Sequence, residues 1–310
     1  MFESWSSDSL GALCAFGSSF TWAVGSATYS RLNRNYSAFS VNFTRAAVAC
    51  PLFIFAAFLV SGGIEGGLFE YKNIRLSHCG WLTLSMVVSY GLGDVLFLKS
   101  ARFLGVPGAL AIGSSYPIWT VLVGFLYAGE RITRFQILGL LVTFLGIVMV
   151  ILNGPKSGRQ SSIKLDHKVS WKGIGLAGAT SLAWGINCFA VSRVGTDIIP
   201  PVGNSIRMLI GMVITLGLGR VFAPQEAILL PLKKIYPFVA IFILEAFVGS
   251  YLYMYGLTHA PLALGTTLSS LSPVISVPAA VIFGIERFSI LRTLGVFFAV
   301  IGVSLILGGL

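Results

Sequence analysis

The sequence predicts an all-α integral membrane protein of ten transmembrane helices, built as two inverted five-helix repeats. Three observations carry this. The 310 residues are 55% hydrophobic and 10% charged, with a mean hydropathy of +0.87, whereas a soluble domain carries about a quarter charged residues. Ten apolar stretches approach the ~20 residues a helix needs to cross the hydrocarbon. The two halves of the chain also repeat one another residue by residue.

The stretches run near 10–31, 38–61, 79–101, 107–128, 133–152, 171–193, 200–221, 234–257, 261–284 and 288–309. Short joints with turn or charge signals separate them, such as Leu32-Asn33-Arg34-Asn35 and Gly129-Glu130-Arg131. Gly62-Gly63 and Gly66-Gly67 read as part of a short polar turn. The longest polar stretch is rich in Gly, Ser, Lys and Arg and lies mid-chain. It divides the sequence into a first repeat over 1–152, a linker over 153–170 and a second repeat over 171–310. Glu3 and Asp8 without Lys or Arg before the first apolar run argue against a removable signal peptide.

A shift of 162 places Gly11 on Gly173, Trp22 on Trp184, Asn42 on Asn204 and Arg45 on Arg207. A shift of 156 then places Ser114 on Ser270, Pro117 on Pro273 and Glu130-Arg131 on Glu286-Arg287. Glycine or serine matches mean little in so apolar a chain, but Trp, Arg, Pro and Glu-Arg in consistent register mark a duplication. An odd number of helices per copy forces the second copy to enter the membrane from the opposite side. Inverted repeats are the architecture of alternating-access transporters, whose sites lie near the midplane between the halves.

These residues give the chain a family resemblance. The Trp in each first helix (Ala183-Trp184-Gly185-Ile186-Asn187 most clearly), the Pro117 and Pro273 helices and the Glu130 and Glu286 turns resemble the ten-helix EamA-type exporters of the drug/metabolite transporter superfamily. The resemblance spans essentially the whole chain. It implies export of amino acids or other small amphipathic metabolites, often proton-coupled. The family also holds uptake systems, exchangers and multidrug exporters, so direction stays open. It implies no cofactor, and the partners expected are a small-molecule substrate, the lipid bilayer and protons as coupling ion, with the chain as monomer or homodimer.

Charge and cysteine content fit that setting. A net charge of +10 suggests nucleic acid for a soluble protein, but here the charges punctuate apolar runs and act as topology signals, so no nucleic-acid partner is expected. One side of the membrane collects Lys72, Arg75, Arg131, Arg134 and Arg193. The other collects Arg31, Arg34, Lys99, Arg102, Lys156, Arg159, Lys164, Lys168, Lys172, Arg220, Lys233, Lys234, Arg287 and Arg292. The positive-inside rule then puts both termini outside and the linker in the cytoplasm of a multi-pass cell-membrane protein, whereas relatives of this kind usually have the N-terminus inside. Cys14, Cys50, Cys79 and Cys188 show no metal-ligand spacing and read as small apolar filler. His78, His167 and His259 lie near helix ends or in the linker, without the company that an intramembrane enzyme or a metal site requires.

Few ionisable groups fall within the spans, where each costs roughly 2.5–3.5 kcal/mol on insertion scales. Arg45 and Asp94 lie at equal depth on consecutive helices, which predicts an ion pair serving either as a lock between helices or as a polar wall of a substrate path. Arg207 repeats Arg45, but Ser250 stands where Asp94 would be repeated. Arg207 is left to backbone carbonyls, to snorkelling or to the functional asymmetry of two gates. Glu245 sits at the middle of its span, with neutral Ser89 as its repeat mate. It is read as a reversible proton carrier, a partner for a substrate ammonium or a hydrogen-bonded structural carboxyl. Trp22, Trp184, Tyr90, Tyr116 and Tyr251 are candidate aromatic walls, or else packing and interfacial rings. Asn187, Ser114 and Ser270 are candidate hydrogen-bonding groups, and Pro117 and Pro273 are candidate hinges or plain kinks.

Overall fold

The computed structural model describes residues 7–123, 126–127, 133–152, 170–275 and 289–308. Among these there is no strand. The helices are α1 (Ser7–Leu32), α2 (Ala38–Val60), α3 (Ile64–Lys72), α4 (Leu76–Met86), α5 (Asp94–Gly113), α6 (Tyr116–Val123), α7 (Arg134–Leu152), α8 (Trp171–Ser192), α9 (Pro200–Phe222), α10 (Leu232–His259), α11 (Leu262–Ser269) and α12 (Ile290–Gly308). Among the described residues six helical stretches are long and apolar enough to cross a membrane, namely α1, α2, Leu76–Leu104, α8, α9 and α10. Glu130-Arg131, Glu286-Arg287 and nearly all of the 153–170 linker lie outside the described residues.

Local chemistry sets many of the boundaries. Ser37 caps α2 by accepting from the Ser40 N–H, and Ser170 caps α8 by accepting from the Gly173 N–H, each satisfying an orphan donor of the first turn. Pro200 and Pro201 open α9, where a missing N–H is harmless. The polar turn expected around Gly62 to Gly67 is only half right. Gly62 and Gly63 turn the chain at φ of 78° and 120°, but Gly66 and Gly67 lie inside α3. A side chain at Gly67 would collide with the Phe58 ring, so the glycine lets this short helix lie against the end of α2.

Helical geometry continues through Asp94–Gly113, yet the path must double back within it. Twenty residues of straight helix span ~30 Å, but Gly93 and Gly113 both lie against the Trp184 ring. Between them, Ser100 Oγ donates to the Gly173 carbonyl at 3.0 Å and Leu104 packs on Gly173. The chain climbs along α8 from Trp184 to Gly173 and returns, with Gly105-Val106-Pro107 as its reversal signal.

The repeats are visible in the packing. The first helix of each copy lies on the third helix of the other: α1 runs along α10, and α8 along α4 and α5. Gly11 against Ala260 is mirrored by Gly173 against Leu104. The second helices pair with each other, α2 on α9, as do α7 on α12 and α6 on α11. The α2–α9 pair is antiparallel, with Phe39 near the start of one stacked 6.1 Å from Phe222 at the end of the other. Each third helix also carries a seven-residue π-helical segment, at Val87–Gly93 and Ile243–Gly249. These lie 156 residues apart, the same offset as in the sequence. Short π segments within α-helices are frequent at functional sites.

Candidate functional site

The two π segments face a cavity of about 110 Å³ at the middle of the bundle, room for a few waters or a small polar molecule at about one probe sphere per water. Its lining draws on both copies. Trp22, Arg45, Tyr90, Asp94 and Tyr116 come from the first, and Trp184, Asn187, Arg207, Glu245 and Tyr253 from the second. Each wide turn carries a lining residue within it, Tyr90 in one and Glu245 in the other.

Arg45 is the hub of one wall. It is 3% exposed, and its Nη1 meets Asp94 Oδ2 at 2.5 Å. Its Nε and Nη2 take both oxygens of Glu245, at 3.1 and 2.8 Å. Nη1 also donates to Asn42 Oδ1 at 3.0 Å. The bidentate fork on Glu245 uses the planar geometry that distinguishes arginine from lysine. The carboxylates have further donors: the Tyr29 hydroxyl donates a hydrogen bond to Glu245 Oε2 at 2.5 Å, and Trp184 Nε1 donates to Asp94 Oδ1 at 3.0 Å. Three rings surround the guanidinium, with centroids 5.2 Å (Trp22), 4.5 Å (Tyr29) and 4.5 Å (Tyr90) from its central carbon. Such faces favour a desolvated cation. Gly25 makes room for this cluster, since a methyl group there would collide with the Glu245 side chain.

Arg207, its repeat mate, is 4% exposed and differently held. Nη1 donates to Asn204 Oδ1 at 2.9 Å, repeating the Arg45–Asn42 contact, and Nε donates to Ser85 Oγ at 3.0 Å. Among the described residues it has no carboxylate partner. Among the described residues its hydrogen bonds go to side chains and not to backbone carbonyls. Ser250 also lines the cavity, and its carbonyl accepts from Asn204 Nδ2 at 3.1 Å.

The structure therefore brings together nine of the residues singled out in the sequence: Trp22, Arg45, Tyr90, Asp94, Tyr116, Trp184, Asn187, Arg207 and Glu245. Trp22 and Trp184 meet edge to face at 5.6 Å. Ser114, Ser270 and Pro117 line a second, smaller pocket instead, and Tyr251 stacks on Tyr255 away from the main cavity. Helical hydrogen bonding breaks at Ser114-Ser115 and again at Ser270-Leu271, so Pro117 and Pro273 each follow a turn at symmetric positions, and both are buried. Sequence reasoning did not assign Ser18, Thr21, Ser89, Ser250 and Ser269 to the lining, nor Tyr29 and Asn42 to the charge cluster. Asn42 carried a usable signal, because it and Asn204 are repeat mates one turn before the two arginines.

Comparison with known proteins decides what this arrangement belongs to. The EamA-like transporter family profile matches residues 9–152 and again 171–308. The chain is a member of the EamA-like transporter family. Its two matches coincide with the two halves seen in the packing. A protein of Archaeoglobus fulgidus described as an uncharacterized transporter is 24% identical over 144 residues, 46% of this chain and 49% of that one. The chain thus spans about half the length of that curated relative. A solved crystal structure is similar over 95% of this chain and 94% of its own, at 17% identity and a TM-score of 0.69, a likeness of fold alone. This EamA-like family member accordingly carries a buried charged cavity between its two halves.

Proposed function

We propose that this EamA-like protein is a secondary transporter that exports amino acids or related small amphipathic metabolites by alternating access between two inverted five-helix halves. The observation that carries the reading is the cavity. It is lined by charged and aromatic side chains, buried at mid-bundle and walled by equivalent helices of both copies, so a rocking motion of one half against the other would open it to either side. The antiparallel α2–α9 pairing and the doubling back of α5 support the inverted ten-helix arrangement, with boundaries at 1–152, 153–170 and 171–310. The turns before Pro117 and Pro273 are the hinge candidates.

Proton coupling is assigned to Glu245. With both acids ionised the Arg45–Asp94–Glu245 trio carries one negative charge. A proton on Glu245 brings it to neutrality while Arg45 keeps Asp94. Both termini are placed outside the cell membrane on the Lys and Arg distribution, and a C-terminal reporter fusion active only in the cytoplasm would reverse that.

The test is counterflow in proteoliposomes with radiolabelled alanine, leucine and phenylalanine. Saturable exchange that accelerates under an imposed proton gradient is the expected outcome. Flux that does not saturate, or no flux of any amino acid, would remove the reading. In cells, overexpression is expected to confer resistance to toxic amino-acid analogues, and increased sensitivity would assign uptake instead.

A further inference from the structure

The charges in the cavity balance in number but not in place. Arg45 and Arg207 face Asp94 and Glu245, and both acids are taken by Arg45. Arg207 thus remains a buried cation whose partners are two neutral oxygens, Ser85 Oγ and Asn204 Oδ1. A charge buried to that degree calls for a counter-charge, and among the described residues none is supplied.

A second observation points the same way. Among the described residues, two fully buried polar atoms on the cavity-lining side chains lack hydrogen-bond partners: Tyr90 Oη and Asn187 Oδ1. Both residues are more than nine-tenths buried. Tyr90 packs against Gly211, one turn beyond Arg207 on α9. Asn187 donates through Nδ2 to Tyr253 Oη at 2.7 Å, and the Tyr253 ring lies 5.8 Å from the Arg207 guanidinium carbon. Buried polar atoms left unpaired each cost about 1–3 kcal/mol, and these two sit on the lining that Arg207 shares.

We infer that Arg207 is the anchor for the carboxylate of the transported molecule, with the Tyr90 hydroxyl as second donor and Asn187 Oδ1 accepting from an N–H or O–H that the cargo carries beside its carboxylate. The cargo class is a small monocarboxylate with an adjacent hydrogen-bond donor. An amine without a carboxylate is excluded, because it would add a cation next to Arg207 and leave Tyr90 without an acceptor. Arg45 contributes no cargo contact, since its fork is filled by Glu245 and Asp94. The inference rests on the transport reading and adds to it which end of the molecule is recognised and by which residue.

The test uses the full-length protein in detergent and a matched set of probes: alanine, lactate, alaninamide and isopropylamine. Thermal stabilisation and equilibrium binding are measured on wild type, Arg207→Lys, Arg207→Gln and Asn187→Asp. Alanine and lactate are expected to stabilise the wild type, and alaninamide and isopropylamine are not. Loss of a charge-assisted contact predicts about tenfold or weaker alanine binding in Arg207→Gln. Arg207→Lys should retain part of it, and Asn187→Asp should weaken it through repulsion of the carboxylate. Ligand-free melting temperatures separate a folding defect from a binding defect, and Arg207→Lys keeps the test valid if Arg207→Gln does not fold. Equal stabilisation by alaninamide, unchanged alanine affinity in Arg207→Gln, or no binding of either carboxylate would overturn the inference. Saturable transport of an amine by wild type would sink this assignment and leave the transporter reading standing. Binding of alanine without counterflow would do the reverse.

Discussion

Two arginines one repeat apart, Arg45 and Arg207, began as copies of the same residue and now sit in different company. Each is buried, each donates to an asparagine three residues earlier, and each faces the central cavity. Arg45 has a bidentate carboxylate, a second carboxylate and three aromatic faces around it. Arg207 has a serine hydroxyl and one more distant ring. The difference shows how a duplicated scaffold can divide labour. One copy closes its charge internally and holds helices from both halves together, while the other leaves a charge open to whatever enters. Asp94 and Glu245 made this split, because their repeat mates are the neutral Ser250 and Ser89.

The sharpest way to break that comparison is to remove the hub. Arg45→Met strands two buried carboxylates and should destabilise the fold by about 3–5 kcal/mol, read as a large fall in melting temperature in detergent. The equivalent Arg207→Met removes a charge that has no carboxylate partner among the described residues, so its fall should be clearly smaller. Equal losses would mean that the two sites are not divided as described.

Glu245→Gln is expected to fold, because Arg45 retains Asp94 and the glutamine can still accept from Tyr29 and the guanidinium. Gradient-driven transport should be abolished while downhill exchange persists. Full pH-dependent transport by this variant would remove Glu245 from the coupling step.

The paired tryptophans give a subtler contrast. Trp184→Phe keeps an aromatic ring but deletes the indole N–H bonded to Asp94, which predicts a loss of about 1–3 kcal/mol for a bond to a charged group. Trp22→Phe deletes no bond to the charge cluster and should cost less, as measured by the same melting experiment. Ser85→Ala removes the acceptor of the Arg207 Nε–H and, as another bond to a charged group, should cost about 1.5–3 kcal/mol. A loss as large as that of Arg45→Met would show that Ser85 anchors more than Arg207.

Much of this was legible in the chain itself. Apolar run lengths located six of the spans to within a few residues, because a bilayer imposes a length that a linear scan can read, but they missed α3 and the breaks at Ser114-Ser115 and Ser270-Leu271. The offset of 156 between Ser114 and Ser270 anticipated the equal spacing of the two π segments, since a duplicated backbone keeps its irregularities. The Arg45–Asp94 pair followed from equal depth on neighbouring helices. Glu245 was singled out for its depth, but its place in the same cluster was not, because depth fixes position along the membrane normal and says nothing about which helix faces which.

That distinction separates what the sequence determined from what only the tertiary structure decided. Composition, span length and internal register are one-dimensional properties, and they specified a duplicated helical membrane protein and most of the residues that line its cavity. The swap of first and third helices between copies, which carries Glu245 of the second half onto Arg45 of the first, is a matter of lateral packing. In lipid no hydrophobic gradient orients one helix toward another. Close contacts such as Gly25 against Glu245 and Gly256 against Ala15, together with the demand of buried charges for partners, make that choice, and they exist only once the bundle has assembled.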